Sequence, residues 1–346
     1  MKINLSTFDY YLTINQIDEN KLIDEEKLSK KILKKLSKIA NGNFLNYGDI
    51  DSIISDLEYC RISNATLNDF LEIADNFSKE YSLIIDDEEK RDIRMRLAKI
   101  NYLIRKNDRS GCEKLSKLFS TKQEFIWDIA YLGHQRIHIN SKGQGVTVAD
   151  SRVLIKNAKL TQVEKISEKA WYIGGFYEDK GYEISSELIV KEIEYPYPVL
   201  LRFTYKSTLN IVVTYKDGIK IGNKTYRIDG KIHRCRVFKN CIYLISWEKY
   251  GIVYEMNLDN KNIREITLQY ICICNDIFID RERIFAICKM QGHLFEYRSD
   301  FSYVNKIGNF SSGGNGLFDP ISIKKNKKMI EVTSWFHSSV MGYRVL

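Results

Sequence analysis

The feature that most constrains this chain is a hairpin-like unit that recurs roughly every 40 residues through its C-terminal two thirds. In each unit an apolar, β-branched or aromatic run is followed by a short polar or glycine-containing turn and then by a second such run. Runs of this kind, bounded by Gly, Asn and Asp, are typical of β-strands. Six units begin at Tyr131, Trp171, Ile211, Ile242, Ile284 and Ile330.

The units also match one another internally. Ser246-Trp247 in the fourth unit and Ser334-Trp335 in the sixth stand 88 residues apart, about two repeats. A repeat of about 40 residues made only of strands is the period of propeller blades, in which a four-stranded sheet buries its faces by stacking on its neighbours. Residues 125–346 therefore resemble the β-propeller superfold.

The resemblance does not extend to one propeller family. The Trp-Asp dipeptide of WD40 blades occurs only as Trp127-Asp128, and the double glycine of kelch blades only as Gly174-Gly175 and Gly313-Gly314. Six blades are expected, or five if one unit is a decoration. The alternative fold for this part is a two-sheet β-sandwich.

Residues 1–122 show the helical period instead. Leu28, Ile32, Leu36 and Ile39 recur at the spacing of one helix face. Further helices are predicted over 49–59, 66–81 and 86–106, with a short one around 112–119. The fold class expected from the sequence is therefore an α-helical bundle over 1–122, followed by a β-propeller-like domain over 125–346.

The composition indicates where the protein is located, how its charge is distributed and what state its cysteines are in. No apolar stretch approaches the roughly 20 residues that cross a bilayer, and no signal peptide is recognisable, so a cytoplasmic protein is expected. The net charge of +8 is uneven, with −1 on residues 1–120 and +9 on the rest. The cysteines are expected to be buried and reduced, because they lie mostly within apolar runs and form no CxxC pair: Cys60, Cys112, Cys235, Cys241, Cys272, Cys274 and Cys288.

One segment interleaves basic and aromatic residues, between Lys231 and Lys239. Bases could stack on Phe238 while His233, Arg234 and Arg236 met phosphates, which makes this segment a candidate nucleic-acid contact. The competing interpretation is an edge strand whose positive charges discourage aggregation.

A second candidate site lies at the hairpin turns. If these turns gather on one rim, their aromatic and polar residues would form a surface of the kind that anchors protein partners. The competing interpretation is that the tryptophans act as wedges between blades. The candidate residues are Tyr215, Trp247, Glu248, Tyr250, Trp335, Phe336 and His337.

No motif indicates catalysis, a metal or a cofactor. His134 and His138 could face the same way on a strand, but no third ligand follows at a suitable spacing. The sequence therefore predicts a non-catalytic macromolecule-binding protein of unknown oligomeric state that binds another protein, as an inhibitor or adaptor such as an immunity protein against a bacterial toxin. The alternatives are a nucleic-acid-associated protein that uses the basic β domain, and an enzyme with its site in the propeller channel.

Overall fold

The fold is that of a computed structural model, and it divides the chain into two compact units, Met1–Arg109 and Ser110–Leu346. The structure describes residues 26–40, 47–59, 62, 64–83, 91–105, 107–108, 116–120, 126–132, 135–140, 145–148, 153–156, 158–216, 218–280, 282–288, 291–308, 317, 320–334 and 339–344.

The first unit contains the four longer helices that the apolar period predicts. The first residues predicted for the fourth, 86–90, lie outside the described part of the chain. The helices are α1 (Glu26–Ala40), α2 (Tyr47–Tyr59), α3 (Asn64–Leu83) and α4 (Arg91–Arg105).

The helices pack through the apolar faces that the sequence pattern defines. Ile32 and Leu36 of α1 are fully buried, as are Phe70 of α3 and Ile100 of α4. Ion pairs lie between the helices, including Lys35 with Asp56, 2.8 Å apart, and Arg96 with Asp51, 2.8 Å apart. Among the described helices, none combines the length and the apolar character that a membrane span requires.

The second unit consists of short antiparallel strands. They are β1 (Ser116–Ser120), β2 (Ile126–Leu132), β3 (Gln135–Asn140), β4 (Gly145–Val148), β5 (Val153–Lys156), β6 (Gln162–Ser167), β7 (Ala170–Gly174), β8 (Lys180–Ser185), β9 (Val190–Glu194), β10 (Val199–Tyr205), β11 (Leu209–Thr214), β12 (Gly218–Ile221), β13 (Lys224–Tyr226), β14 (Arg234–Phe238), β15 (Cys241–Ile245), β16 (Ile252–Asn257), β17 (Ile263–Thr267), β18 (Cys274–Ile279), β19 (Arg283–Cys288), β20 (Leu294–Arg298), β21 (Tyr303–Ile307), β22 (Pro320–Asn326), β23 (Met329–Ser334) and β24 (Ser339–Arg344).

These strands form six four-stranded sheets, each a simple meander. Sheets 1 to 5 are β2–β5, β6–β9, β10–β13, β14–β17 and β18–β21, and sheet 6 is β22–β24 together with β1. The first strands of successive sheets contact one another, and β22 contacts β2, so these six strands form a closed inner ring. This arrangement confirms the predicted β-propeller. The β-sandwich alternative is wrong, because the sheets follow one another around a ring and do not stack as two layers.

The ring is closed by a strand from the start of the unit. β1 pairs antiparallel with β24 and is the outermost strand of sheet 6, whose other three strands come from the end of the chain. The short helix expected around 112–119 is therefore wrong over Ser116–Ser120. The division after Arg109 also falls before the expected boundary at 122–125, because β1 belongs to the propeller. A strand of five residues with little apolar alternation carries no local signal that separates it from a helix end.

The apolar cores of the propeller lie between neighbouring sheets. One buried cluster joins Phe285 and Leu294 of sheet 5 to Ile323 and Val332 of sheet 6. Another joins Leu201 and Ile211 of sheet 3 to residues of sheets 2 and 4. Neighbouring sheets thus bury one another's flanks.

Candidate functional site

Three equivalent turns bring aromatic residues to the same end of the inner ring. Phe176 and Tyr177 follow the second strand of sheet 2, Tyr215 follows that of sheet 3, and Trp247 follows that of sheet 4. In an antiparallel meander the end of the second strand lies beside the start of the first. Trp127, near the start of β2, therefore lies at the same end.

These rings form one connected group, which we call the aromatic cluster: Trp127, Phe176, Tyr177, Tyr215 and Trp247. Phe176 is its hub and is buried. Its ring centroid lies 4.2 Å from that of Tyr177, 5.6 Å from Tyr215, 5.4 Å from Trp247 and 6.2 Å from Trp127. The stacked and edge-to-face geometries are those that aromatic pairs prefer. The cluster spans sheets 1 to 4, whereas Tyr177 remains 60% exposed.

Trp247 is held by its neighbours beneath the cluster. Its indole nitrogen donates a 2.7 Å hydrogen bond to the side-chain oxygen of Asn275, which lies in β18. The ring stacks on His233 with a centroid distance of 4.1 Å, and a nitrogen of that imidazole lies 3.2 Å from the backbone oxygen of Asn275. Trp247 therefore joins sheets 4 and 5, as expected of a wedge between blades, and it also packs in the aromatic cluster, while its contact with a protein partner stays a prediction.

The other predicted rim residues divide into two groups. Glu248 accepts a 2.9 Å hydrogen bond from the backbone of Lys231, and Tyr250 is half-buried in the same turn. Trp335, Phe336 and His337 lie outside the described residues. The structure thus brings Tyr215 and Trp247 together through Phe176 and places Glu248 at the base of the turn.

Sequence reasoning missed Trp127, Phe176 and Tyr177. A signal existed for the last two, because the second unit reads Gly-Gly-Phe-Tyr at the turn where the third unit carries Tyr215. No comparable signal marked Trp127, which comes from the start of a first strand and not from a turn.

The centre of the ring is occupied by a buried ionic network around Arg236. This guanidinium donates to both carboxylate oxygens of Asp276, at 2.8 and 2.5 Å, and to those of Asp128, both at 3.1 Å. It also donates a 2.9 Å hydrogen bond to Glu164. Charge-assisted, bidentate contacts of this kind are the strongest hydrogen bonds that side chains form.

Two further cations complete the network. Arg234 lies 3.0 Å from a carboxylate oxygen of Asp128, and Lys324 donates a 2.8 Å hydrogen bond to Glu164. The hydroxyl of Ser322 donates to Asp128. Three positive and three negative side chains therefore meet here, all of them less than 15% exposed, and their charges balance.

The pKa values of Asp128 and Arg236 favour the charged forms of these two groups. Burial alone would raise the pKa of Asp128, but the charges of Arg236, Lys324 and Arg234 outweigh burial and hold it well below its usual value. Burial would likewise lower the pKa of Arg236, yet its carboxylate partners raise it well above the ordinary value. Side chains whose pKa values lie this far from 7 are poorly suited to general acid–base catalysis near pH 7.

This placement contradicts the hypothesised phosphate contact by the basic segment. Arg234 and Arg236 are 3% and 5% exposed and engaged with carboxylates, and His233 is 3% exposed beneath Trp247. β14 is an edge strand as the alternative supposed, but its edge is the inner one and its arginines face their partners, not solvent. Phe238 is half-buried, with the ammonium of Lys239 5.2 Å from its ring centroid.

The remaining candidates do not assemble into a site. His138 is buried in β3, and His134 lies outside the described residues. Within the described part of the chain, no group of three or more His, Cys, Asp or Glu side chains could hold a metal ion. Cys235, Cys241, Cys272, Cys274 and Cys288 are thiols, four of them buried, whereas Cys60 and Cys112 fall outside the described ranges.

Comparison with known proteins adds the following. No protein-family model matches the chain, and no curated protein does. Virginiamycin B lyase from Staphylococcus aureus superposes with a TM-score of 0.49 and 11% identity, covering 67% of this chain and 99% of its own. The β-propeller domain of Cps50 (Swd1) from Myceliophteria thermophila gives 0.48 and 11%, covering 64% and 84%. The WD40 domain of Pan2 from Neurospora crassa gives 0.44 and 10%, covering 63% and 74%.

These similarities concern the fold alone. Because the TM-scores lie below 0.5, the assignment of the propeller fold rests on the ring of six sheets in this structure. The chain is a propeller protein with an α-helical N-terminal unit.

Proposed function

We propose that this protein is a non-catalytic binding protein whose propeller recognises another protein through the aromatic cluster. The observation that carries the proposal is the exposure of Tyr177 on a connected set of rings that spans four sheets. Tyrosine and tryptophan dominate the residues that contribute most to protein–protein affinity, and they do so when neighbouring side chains hold them in place.

The cluster is pre-organised for such a contact. Tyr177 packs on Phe176, which is itself fixed by Tyr215 and Trp247, and the indole of Trp247 is tied to Asn275 by a hydrogen bond. A partner that binds on these rings therefore loses little side-chain entropy on this side of the interface, which favours affinity.

In its specific form the proposal is an inhibitor or adaptor acting in the cytoplasm, for example an immunity protein that blocks a bacterial toxin. The separate helical unit would supply a second contact or place the propeller within a complex. The inhibitor or adaptor proposal is supported by two features together: an aromatic surface, and a central network whose charged groups are paired with one another.

The same network argues against the two alternatives. An enzyme with its site at the centre of the ring needs groups that bind substrate, whereas Asp128 and Glu164 both accept hydrogen bonds from Arg236. A nucleic-acid protein that uses the basic segment needs exposed cations, whereas Arg234 and Arg236 are buried.

The test is affinity purification of the tagged full chain from its native cells at moderate salt after nuclease treatment, followed by mass spectrometry. We expect one protein to be recovered in stoichiometric amount with the wild type. Tyr177→Ala is expected to reduce recovery at least about tenfold, because truncating an interface hot spot costs about 2 kcal/mol or more.

Ile189→Ala is the matched control. Ile189 is 67% exposed in the same sheet, but its turn follows the third strand and so lies at the opposite end of the sheet. Its replacement should leave recovery unchanged. Equal recovery with all three proteins, or recovery of nucleic acid alone from samples without nuclease, would overturn the proposal.

A further inference from the structure

Two buried thiols meet in sheet 5 close to the end of the ring that carries the aromatic cluster. The sulfur of Cys272 lies 3.3 Å from that of Cys288, and both residues are 1% exposed or less. Cys288 ends β19, and Cys272 stands two residues before β18. A disulfide has a sulfur–sulfur distance of about 2.05 Å, so bond formation needs an approach of only about 1.3 Å.

The backbone on the Cys272 side is held firmly. The amide of Cys272 donates a 2.9 Å hydrogen bond to the side chain of Gln291, and its carbonyl accepts a 2.6 Å bond from the amide of Gly251. Gly251 has a positive φ of 63°, and a Cβ there would lie 2.8 Å from the carbonyl oxygen of Ile271. The close backbone contact therefore requires glycine, and it holds the backbone from which the Cys272 side chain extends.

Cys274 is a neighbour with a different partner. Its Cα pairs with that of Cys288 in the sheet, but its sulfur lies 3.6 Å from the backbone oxygen of Asp276. Burial, followed by the charges of Asp276 and Cys288, raises the pKa of the Cys274 thiol well above its ordinary value. Three cysteines thus share one region, and the geometry singles out one pair.

We propose that Cys272 and Cys288 are an oxidative modification site that forms an intramolecular disulfide when the protein meets a peroxide. One thiol loses its proton and, as the thiolate, attacks a peroxide oxygen, which breaks the O–O bond and gives a sulfenic acid. When the oxidant is hydrogen peroxide, the hydroxide that leaves takes up the thiol's proton and is released as water. The second thiol then attacks the sulfenic sulfur, which forms the S–S bond and releases a second water. Two electrons pass from the two sulfurs to the peroxide.

The disulfide would stabilise the region that supports Trp247. The carbonyl of Cys272 accepts a backbone hydrogen bond from Gly251, which ends the turn that begins at Ser246. Cys272 also stands three residues before Asn275, whose side chain accepts a hydrogen bond from the indole of Trp247. The bond would close a loop between positions 16 apart in the sequence. Closing a loop of this length reduces the conformational freedom of the unfolded chain, so the melting temperature should rise by about 5 to 10 °C.

The experiment treats the folded full chain with hydrogen peroxide, blocks the remaining thiols under denaturing conditions and maps non-reduced peptides by mass spectrometry. Trypsin places Cys272 and Cys274 on peptide 265–281 and Cys288 on peptide 284–289. We expect these peptides to be cross-linked, with a loss of two hydrogen masses, in the wild type and in the matched control Cys274→Ser. Cys272→Ser and Cys288→Ser should show no such cross-link.

The melting temperature gives a second readout. It should rise on oxidation in the wild type and in Cys274→Ser, and fall back when a reductant is added, whereas Cys272→Ser and Cys288→Ser should not respond. A cross-link that persists in Cys272→Ser but disappears in Cys274→Ser would overturn the proposal. So would addition of oxygen to single cysteines without a cross-link. Neither result bears on partner recovery through Tyr177, so the two proposals fail separately.

Discussion

At the scale of single residues, burial controls which side chains respond to pH. His138 lies in β3 with 8% of its surface exposed. Burial, followed by the nearby positive charge of Arg136, lowers its pKa from the ordinary 6.5 to about 4. The folded protein therefore keeps this imidazole neutral at mildly acidic pH, where a solvent-exposed histidine becomes charged.

This difference predicts a pH-dependent loss of stability. The unfolded chain takes up a proton near pH 6.5, whereas the folded chain does so near pH 4, so the free energy of unfolding falls as the pH drops between these values. Between pH 7 and pH 5 we expect His138 to contribute a loss of about 2 kcal/mol. Urea unfolding of the wild type and of His138→Gln at both pH values measures the difference. Identical pH dependence in the two proteins would contradict the prediction.

At the scale of elements, β1 completes sheet 6, a role that its own sequence does not indicate. Its pairing with β24 covers the outer edge of sheet 6, and it joins the beginning of the propeller to its end. Without β1, the outer hydrogen-bonding groups of β24 would be exposed and the ring would lose its only pairing between strands from the two ends of the described propeller.

Two truncated chains test this role. A chain that begins at residue 110 keeps β1 and should unfold cooperatively. A chain that begins at residue 125, the boundary expected from the sequence, lacks β1 and should melt about 5 to 10 °C lower. Calorimetry on the two chains provides the measurement. Equal melting temperatures would show that β1 does not stabilise the ring.

At the scale of the whole molecule, the network around Arg236 links sheets that are distant in the sequence. Asp128 belongs to sheet 1, Glu164 to sheet 2, Asp276 to sheet 5 and Lys324 to sheet 6, while Arg236 itself comes from sheet 4. Sheet 3 contributes no charge here, and its Leu200 instead accepts a 3.1 Å hydrogen bond from the side chain of Gln162. The centre of the ring is thus a polar counterpart to the apolar cores between the sheets.

Removing the central cation should therefore be costly. Arg236→Met has a similar volume but leaves buried carboxylates without their main partner, and we expect a loss of about 3 to 5 kcal/mol in the free energy of unfolding. Lys165→Met is the control, because it breaks an exposed ion pair with Glu168 and should cost less than about 1 kcal/mol. Denaturant unfolding of both variants is the measurement. If the two variants lose similar amounts of unfolding free energy, the buried network stabilises the protein no more than an exposed ion pair does.

The sequence by itself determined the local structure and the class of fold. The apolar period places α1, α2 and α3 within a few residues of their observed ends, and the repeat of about 40 residues predicts successive sheets of the propeller. These features depend on side chains close together in the chain, because the periods of 3.6 and 2 decide which face is buried. The repeat also places Tyr215 and Trp247 in equivalent turns, where the structure has them.

Only the tertiary structure decided what the charged and aromatic residues contact. From the sequence, Arg236 was predicted to contact phosphates. Its carboxylate partners stand 40, 72 and 108 positions away, so the local sequence does not show them. Phe176 became the hub of the aromatic cluster, and β1 joined sheet 6, through ring closure. Closure brings together strands from distant parts of the chain, and no local pattern encodes which of them will meet.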